Sequence, residues 1–587
     1  MSPAQLLSHF DRISEAPDAI SRLRRFILDL AVRGKLVEQN QKDEPASELL
    51  KRIQAEKVRL VKAGEIRTPR ELETSDEKDV PFPLPTGWAW CRLSEIGAIT
   101  GGGTPPSGDF DNFTDGGSGV AWLTPADLGK QAELYVSHGT RDLTQQGLRS
   151  SSATLMPRGS VLFTSRAPIG YTAIAANEVS TNQGFKSVVP YILDCNLYIA
   201  VYFRAFAKWI DGKASGTTFR EVSGKIVGNL PFPLPPLVEQ HRIVAKVDEL
   251  MALCDRLEAA QAEREIQRDR LAAASLHRLN NGASADAFRE HARFTIDNLP
   301  RLTTRSEHIQ QLRQTILNLA VRGKLVPQDP SDEPASELLK RIEQAKAQLI
   351  AARELRQASS ITNSIDRRSE ITIPRNWAWA KCDNILFVTK LAGFEYTKHF
   401  ELCSEGDIPV IRAQNVRPWR IQQNNLLYID NKTSETLARS ALTKPCILVT
   451  FIGAGIGDVA FFDEKLRWHL APNVAKAEVF IGCEDLLDLR YLVLFLNSPF
   501  GRAEIFKHMK STAQPSISMG TIRDIDLALP PFCEQQRIVA KVDELMAICD
   551  RLEAQLTTTQ TESRRLLEAV LHEALSLRSE PEQAVAI

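Results

Sequence analysis

Two stretches of this chain recur almost unchanged further along it, and that repetition restricts the fold more than composition does. Leu30-Ala-Val-Arg-Gly-Lys-Leu-Val37 returns as Leu319 to Val326, and Asp43-Glu-Pro-Ala-Ser-Glu-Leu-Leu-Lys-Arg-Ile53 returns as Asp332 to Ile342, both at an offset of 289 residues. Val244 to Ala259 returns as Val539 to Ala554 at an offset of 295, with only Leu253 changed, to Ile548. Such identity implies two copies of one structural frame. The stretches between, Pro81 to Pro236 and Ile373 to Pro531, match only at anchor points. Each opens on Trp-Ala-Trp (Trp88 to Trp90, Trp377 to Trp379) and closes on Pro-Pro followed by Glu-Gln (Pro235, Pro236, Glu239, Gln240; Pro530, Pro531, Glu534, Gln535). Like frames around unlike contents imply one task performed on two different targets.

The frames read as helices. Ile243, Val247, Leu250, Cys254 and Leu257 alternate spacings of four and three, as do Ile538, Val542, Leu545, Cys549, Leu552 and Leu556, so each places one apolar seam on a helix. A 4-3 seam repeated in two copies is the pattern of helices that pair as a coiled coil; packing of each helix on its own domain is the alternative. Helical periodicity also runs through Ile20 to Val37 and Ile309 to Val326, and Arg33-Gly34 and Arg322-Gly323 read as helix ends. The middles differ: runs such as Ser160 to Thr164 and Ile447 to Phe451, bounded by turn formers, read as strands, with helices over Asn196 to Lys208 and Asp488 to Asn497. The expected fold is α+β, with α/β domains over 81–236 and 373–531 and helical regions over 1–80, 237–372 and 532–587.

With 587 residues, more than one core is expected. The 43% hydrophobic and 25% charged fractions are ordinary for a globular protein, no apolar run is long enough to span a membrane, and Met1 to Phe10 does not read as a secretory signal, so a cytoplasmic protein is expected. Nine cysteines without a CxxC pair fit reduced thiols and argue against a zinc ribbon. A net charge of −1 gives no support to nucleic-acid binding. Locally the balance changes: residues 136–232 hold ten Lys/Arg against five Asp/Glu.

No catalytic constellation emerges. Phe451-Ile-Gly-Ala-Gly455 resembles a loop that binds S-adenosylmethionine, but no capped helix follows it, and Leu162 to Gly170 occupies the same place in the first half without the glycines; a strand-turn-strand is expected. Leu529-Pro-Pro-Phe532 has Leu where a base-gripping tetrapeptide needs Asn or Asp, and with its counterpart Leu234 to Leu237 it reads as a domain exit. Walker, HExxH and GxSxG motifs and metal-ligand histidine spacings are lacking. What remains are polar and basic residues on turns between strands, either solvated surface or base readers, since a bidentate Arg on guanine or Asn/Gln on adenine discriminates by about 1–3 kcal/mol. In the first middle these are Thr164, Ser165, Arg166, Asn182, Gln183, Lys186, Thr217, Thr218 and Arg220. In the second they are Lys390, Tyr396, Lys398, Arg412, Gln414, Asn415, Arg417, Arg420, Lys510 and Gln514.

The order helix, Trp-Ala-Trp, divergent domain, Pro-Pro-x-x-Glu-Gln, helix, then all of it again, resembles the specificity subunits of type I restriction-modification enzymes. Trp122-Leu-Thr-Pro-Ala-Asp-Leu128, Gly159 to Gly170 and Asn182-Gln-Gly-Phe-Lys186 look like the family's target-recognition motifs, and Ile411-Arg-Ala-Gln-Asn-Val416 and Ala471-Pro-Asn-Val474 play similar parts in the second domain. The resemblance implies a pseudo-twofold tandem repeat, with two target-recognition domains joined by long antiparallel coiled-coil helices. It implies a non-catalytic subunit that reads a bipartite, asymmetric site in double-stranded DNA. Two methylation subunits, which carry the S-adenosylmethionine, and a motor-nuclease restriction subunit are the implied partners. The subunit itself needs no cofactor. Glu239, Gln240, Arg242, Glu534, Gln535 and Arg537 are then either contacts to those partners or caps of the domain exits.

Overall fold

The computed structural model describes residues 16–576 except 17, 67–80, 107, 132, 167, 216–219, 282–283, 356–371, 400, 454, 508 and 510–515. The chain forms two compact units, one of residues 1–264 with 560–587 and the other of residues 265–559, so each of the two longest helices, Leu237–Asn281 and Phe532–Ser576, is divided between them. No described helix is long and apolar enough to cross a membrane.

In the first unit the chain enters the recognition domain on strand Ala89–Arg92 and leaves on Pro231–Leu234. These pair antiparallel, Ala89 opposite Leu234 and Arg92 opposite Pro231, so entrance and exit are zipped together. Inside is a five-stranded sheet in the order Gly97–Gly101, Lys186–Pro190, Val161–Phe163, Thr172–Ala175, Tyr135–Val136, antiparallel except for its last pair. The central Val161–Phe163 is buried on both faces, which is why it reads as a continuous apolar run rather than an alternation. One cover is helix Asn196–Gly212, whose Tyr198, Ile199, Tyr202 and Phe203 recur at helical spacing and are buried. Phe203 stacks on Phe163 at 4.3 Å between ring centroids, and the Tyr198 and Tyr202 hydroxyls donate to the Pro233 and Pro231 carbonyls of the exit strand.

The second unit repeats the frame. Ala378–Lys381 pairs with Asp526–Leu529, and Leu386–Lys390, Val474–Val479, Cys446–Thr450 and Val459–Phe462 form the sheet in that order. Helix Leu489–Asn497 covers it, with the Tyr491 hydroxyl donating to Ala528 of the exit strand. A further four-stranded sheet, built from Leu427–Ile429, Ile408–Ile411, Trp468–Leu470 and Ala441–Leu442, has no four-stranded counterpart among the described residues of the first unit.

Each frame helix ends on the glycine expected. Helix Ala19–Val32 stops at Arg33, and Gly34 takes φ +65°; a Cβ there would come 2.4 Å from the Pro85 ring. Gly323, also at +65°, meets Pro374 in the same way after helix Ser306–Ala320. Both the backbone and the close approach exclude a side chain.

Part of each apolar seam is buried inside its own unit, while Leu250, Leu545, Leu552 and Leu556 are half-buried and Leu257 is 40% exposed. Ile243, Val247 and Cys254 lie in one core with Ile20, Ile27 and Leu28 of Ala19–Val32. Ile538, Val542 and Cys549 lie in the other with Ile309, Leu312 and Ile316 of Ser306–Ala320. Each seam thus shares a core with a helix of its own unit. The ion pairs alongside repeat too: Arg24 bridges Asp255 and Glu258, and Arg313 bridges Asp550 and Glu553. The first unit takes a further helical segment from residues 560–576, where Leu567 and Val570 are buried against Ala16 and Ala19 and Arg22 pairs with Glu568 at 2.7 Å.

Candidate nucleic-acid interface

The frame residues are committed within the chain. Glu239 is 1% exposed and accepts hydrogen bonds from the Trp88 indole at 3.0 Å and the Gln39 amide at 2.9 Å. Glu534 is fully buried and accepts from the Gln328 amide at 2.5 Å. Burial raises its carboxyl above the ordinary range, partly offset by the amide of Gln328 and the indole of Trp377. Gln240 and Gln535 are also fully buried and donate to the Pro235 and Pro530 carbonyls. Arg242 and Arg537 grip Asp43 and Asp332, whose side chains are 7% exposed. Burial turns Glu239, Gln240, Glu534 and Gln535 from partner contacts to the alternative reading, while Arg242 and Arg537, with side chains 34% and 37% exposed, are ion-paired within the chain. These four buried side chains cap the domain exits through the hydrogen bonds they make, because a buried carboxylate or amide needs partners from inside.

In the first domain, isolated bridges Thr164–Phe185, Arg166–Glu221 and Ser215–Glu221 bring three of the predicted stretches to one pole of the sheet. Glu221 organises it. Its carboxylate takes Arg166 at 2.7 Å on one oxygen and Lys186 at 3.0 Å on the other. Burial pushes Glu221 upward, but the hydrogen bonds and charges of Arg166 and Lys186 outweigh it and hold the carboxyl below its ordinary range. Two cations against one anion leave net positive charge, with Arg220, paired to Asp211, directly beside it. Gln183 is exposed and accepts from Thr104.

Other candidates there are structural. Thr164 is buried, and its hydroxyl donates to Pro168 and accepts from the Tyr171 N–H, closing the turn. Ser165 is fully buried as well. Neither has a path to a ligand, which corrects their reading as base readers. The Asn182 side-chain Oδ1 accepts from the Gly184 N–H at 2.9 Å. Thr217 and Thr218 lie outside the described residues.

A testable consequence concerns Glu221. Because its folded value lies below the unfolded one, its stabilising contribution is complete above the ordinary carboxylate value of 4.5 and is lost as pH falls through the folded value. Wild type should melt above Glu221→Gln at neutral pH, and the two should converge as pH falls below the lowered folded value of the carboxyl. A gap that persists in acid would contradict this account.

The second domain builds the equivalent pole from different side chains. The turn between Cys446–Thr450 and Val459–Phe462 joins antiparallel strands, as expected for Phe451 to Gly455, and Gly453, Gly455 and Gly457 all take positive φ within it. Ile452 bridges Ser516, as Arg166 bridges Glu221. Lys390 sits over the Phe451 ring at 4.7 Å. Beside this turn stands the hairpin of Val416–Arg417 and Arg420–Ile421, with the Arg417 guanidinium against Gly455. Gln414, Arg420 and Lys398 are exposed and Tyr396 is half-buried. Arg412 donates to the Asn425 carbonyl and Arg417 to the Val416 and Ala413 carbonyls. Asn415 is 1% exposed: its oxygen accepts from the Arg412 N–H, and its amide donates to Gln422 and Asn424. It ties the loop and is not a base reader. Lys510 and Gln514 lie outside the described residues.

Sequence reasoning missed two residues here. Glu221 carries no motif; only its cationic neighbours made the stretch visible. Trp419, 42% exposed at the hairpin tip, reads in sequence as one more apolar residue; the signal available was Arg417-Pro-Trp-Arg420, a turn sequence between two cations.

The family model described as the type I restriction modification DNA specificity domain matches residues 85–268 and again 377–559. The type I restriction enzyme EcoAI specificity subunit of Escherichia coli is 29% identical over 574 residues, covering 95% of this chain and 94% of that one. The EcoEI specificity subunit of the same organism is 31% identical over 583 residues, with the same coverage. A crystal structure of the HsdS subunit from Thermoanaerobacter tengcongensis aligns with a TM-score of 0.41 and 17% identity over 84% of this chain and 98% of that one. Both matched stretches begin at or just before a Trp-Ala-Trp strand and run into a long helix, which places the repeated frame itself inside the family pattern. This chain belongs to the type I restriction-modification DNA specificity family and carries the family's domain twice.

Proposed function

We propose that this chain is the specificity subunit of a type I restriction-modification complex, reading double-stranded DNA at a bipartite, asymmetric site. Each domain reads one half-site with the pole described above. The observation that carries this reading is that two frames sharing several of their hydrogen bonds present equivalent poles with different side chains: Arg166, Lys186 and Gln183 on one, Lys390, Arg417, Arg420 and Gln414 on the other. The long helices act as the ruler for the unread spacer. Each has 45 residues, on the order of 68 Å at 1.5 Å per residue, about two turns of DNA. Two methylation subunits supply S-adenosylmethionine and transfer the methyl group to adenine, a motor-nuclease subunit joins for restriction, and the assembly works in the cytoplasm. The chain's own contribution is positioning: cations fix register on phosphates, and amides and guanidinium groups read base edges.

Genome-wide adenine methylation in cells carrying this gene with its neighbouring methylation-subunit gene tests the reading. A bipartite methylated motif should appear only when both genes are present. Methylation by the partner alone, unchanged by this chain, would overturn it. In the purified complex, affinity for the mapped motif should fall steeply with salt, and Arg420→Ala should lower the slope of log affinity against log salt by about 1.

A further inference from the structure

Trp419 combines two features that folding alone does not favour. It is the most exposed of the described tryptophans, at 42%, and its backbone takes φ +73°. Three other non-glycine residues among those described have positive φ: Asp18, Asn425 and Arg353. Asp and Asn tolerate that region, and Arg353 occupies the helix-end position that Gly64 fills in the first repeat. Trp419 has neither excuse. It follows Pro418 between the paired residues Arg417 and Arg420, so Pro and Trp occupy the central positions of a type II turn whose second place is normally glycine. The Trp419 N–H donates to the Val459 carbonyl at 3.0 Å, which pins the turn to the edge of the sheet. A bulky aromatic residue, 42% exposed, is thus carried on a pinned turn between two arginines, at the pole assigned to DNA. Strain of this kind at a surface position is a mark of function.

We infer that Trp419 is a wedge that stacks on bases of the second half-site, entering the duplex at a step that opens or kinks to admit it. The inference rests on the DNA-reading role proposed above. Arg417 and Arg420 neutralise the phosphates on either side of the insertion, and the rigid turn removes the entropy loss of ordering the ring on contact. Selectivity follows without hydrogen bonds from the ring, because steps differ in the energy needed to unstack them. In the first domain the turn that carries Arg166 matches the turn after Cys446–Thr450 rather than the Trp419 hairpin, so the two half-sites are read by different means.

The test uses the full chain with its methylation partner and duplexes carrying the mapped motif, with 2-aminopurine placed at successive positions of the second half-site. Wild type should raise the fluorescence of the probe at one step. Trp419→Gly suits the backbone, so it should melt no lower than wild type while binding at least about tenfold more weakly and losing the fluorescence rise. Trp419→Phe should keep most of both. Unchanged affinity and fluorescence in the glycine variant would overturn the wedge. Should that variant melt lower, Trp419→Ser decides, because it keeps the strain and removes the ring: wild-type binding by Trp419→Ser overturns the inference, and weak binding upholds it. A wild-type complex that does not distinguish the mapped motif from a scrambled duplex refutes the DNA-reading role itself, a different result from loss of the wedge alone.

Discussion

Trp88→Ala should destabilise the first unit by about 3–5 kcal/mol, the range for deleting a large aromatic side chain from a core. Trp88 is 8% exposed, packs edge-on against Tyr198 at 6.3 Å, and supplies one of the hydrogen bonds to buried Glu239. The substitution therefore opens a cavity and also strips a partner from a buried carboxylate, and the second effect adds to the first. Trp88→Phe separates them: it keeps most of the packing and removes only the indole N–H, so a loss of about 1–3 kcal/mol is expected. Urea unfolding of both variants checks the pair. Equal losses in the two would show that the hydrogen bond to Glu239 carries everything, and no loss in either would refute the capping role of the frame.

The second large effect concerns specificity. The boundary of each domain closes with the same hydrogen bond, Leu93 N–H to the Leu230 carbonyl at 3.1 Å and Cys382 N–H to the Ile525 carbonyl at 2.9 Å, immediately inside the zipped strands. These are matched joints. A chain whose residues 93–230 are replaced by a second copy of 382–525 should fold, and with its methylation partner it should methylate a motif that carries the second half-site twice. Affinity for the original target should fall by about a thousandfold, since each wrong base pair costs about 1–3 kcal/mol and a half-site holds several. Sequencing of the methylated motif decides: persistence of the first half-site would place its recognition outside residues 93–230 and undo the assignment of one domain to one half-site.

Much of the frame was legible because its signals are repeated and periodic. The helices of the 4-3 seams, the Arg-Gly helix ends and the domain entrances and exits appear in the structure where the repeat put them, Val161–Phe163 is a strand within the run expected, and strand Cys446–Thr450 overlaps the run expected over 447–451 but starts one residue earlier. What the seams pack on was less legible. Periodicity names the buried face but not the neighbour, and helices Ala19–Val32 and Ser306–Ala320 supply it. The interface was legible only as stretches. Thr164, Ser165 and Asn415 are polar residues on turns, as base readers are, but they spend their hydrogen bonds or their burial on the turn itself. Glu239 and Glu534 likewise look like surface charges in a helical sequence, and only the three-dimensional meeting with Gln39 and Gln328 shows them inside. A residue's type limits what it can bond to; the fold decides whether the partner is solvent, ligand or backbone.

The pairing of Arg22 with Glu568 spans 546 residues of chain, and Leu567 and Val570 complete the packing around Ala16 and Ala19. At translation rates of about 5–20 residues per second, the start of the chain waits roughly 30–110 s for that partner to be synthesised. The first unit to begin is therefore the last to be finished, and the second is fully made while the first still shows an uncovered apolar face. A chain whose synthesis stops before residue 567 carries that face permanently and lacks the helix that covers it, which marks it for chaperones and proteases. Only chains made through residue 570 hide it, so the first unit acts as its own record that translation has run far enough.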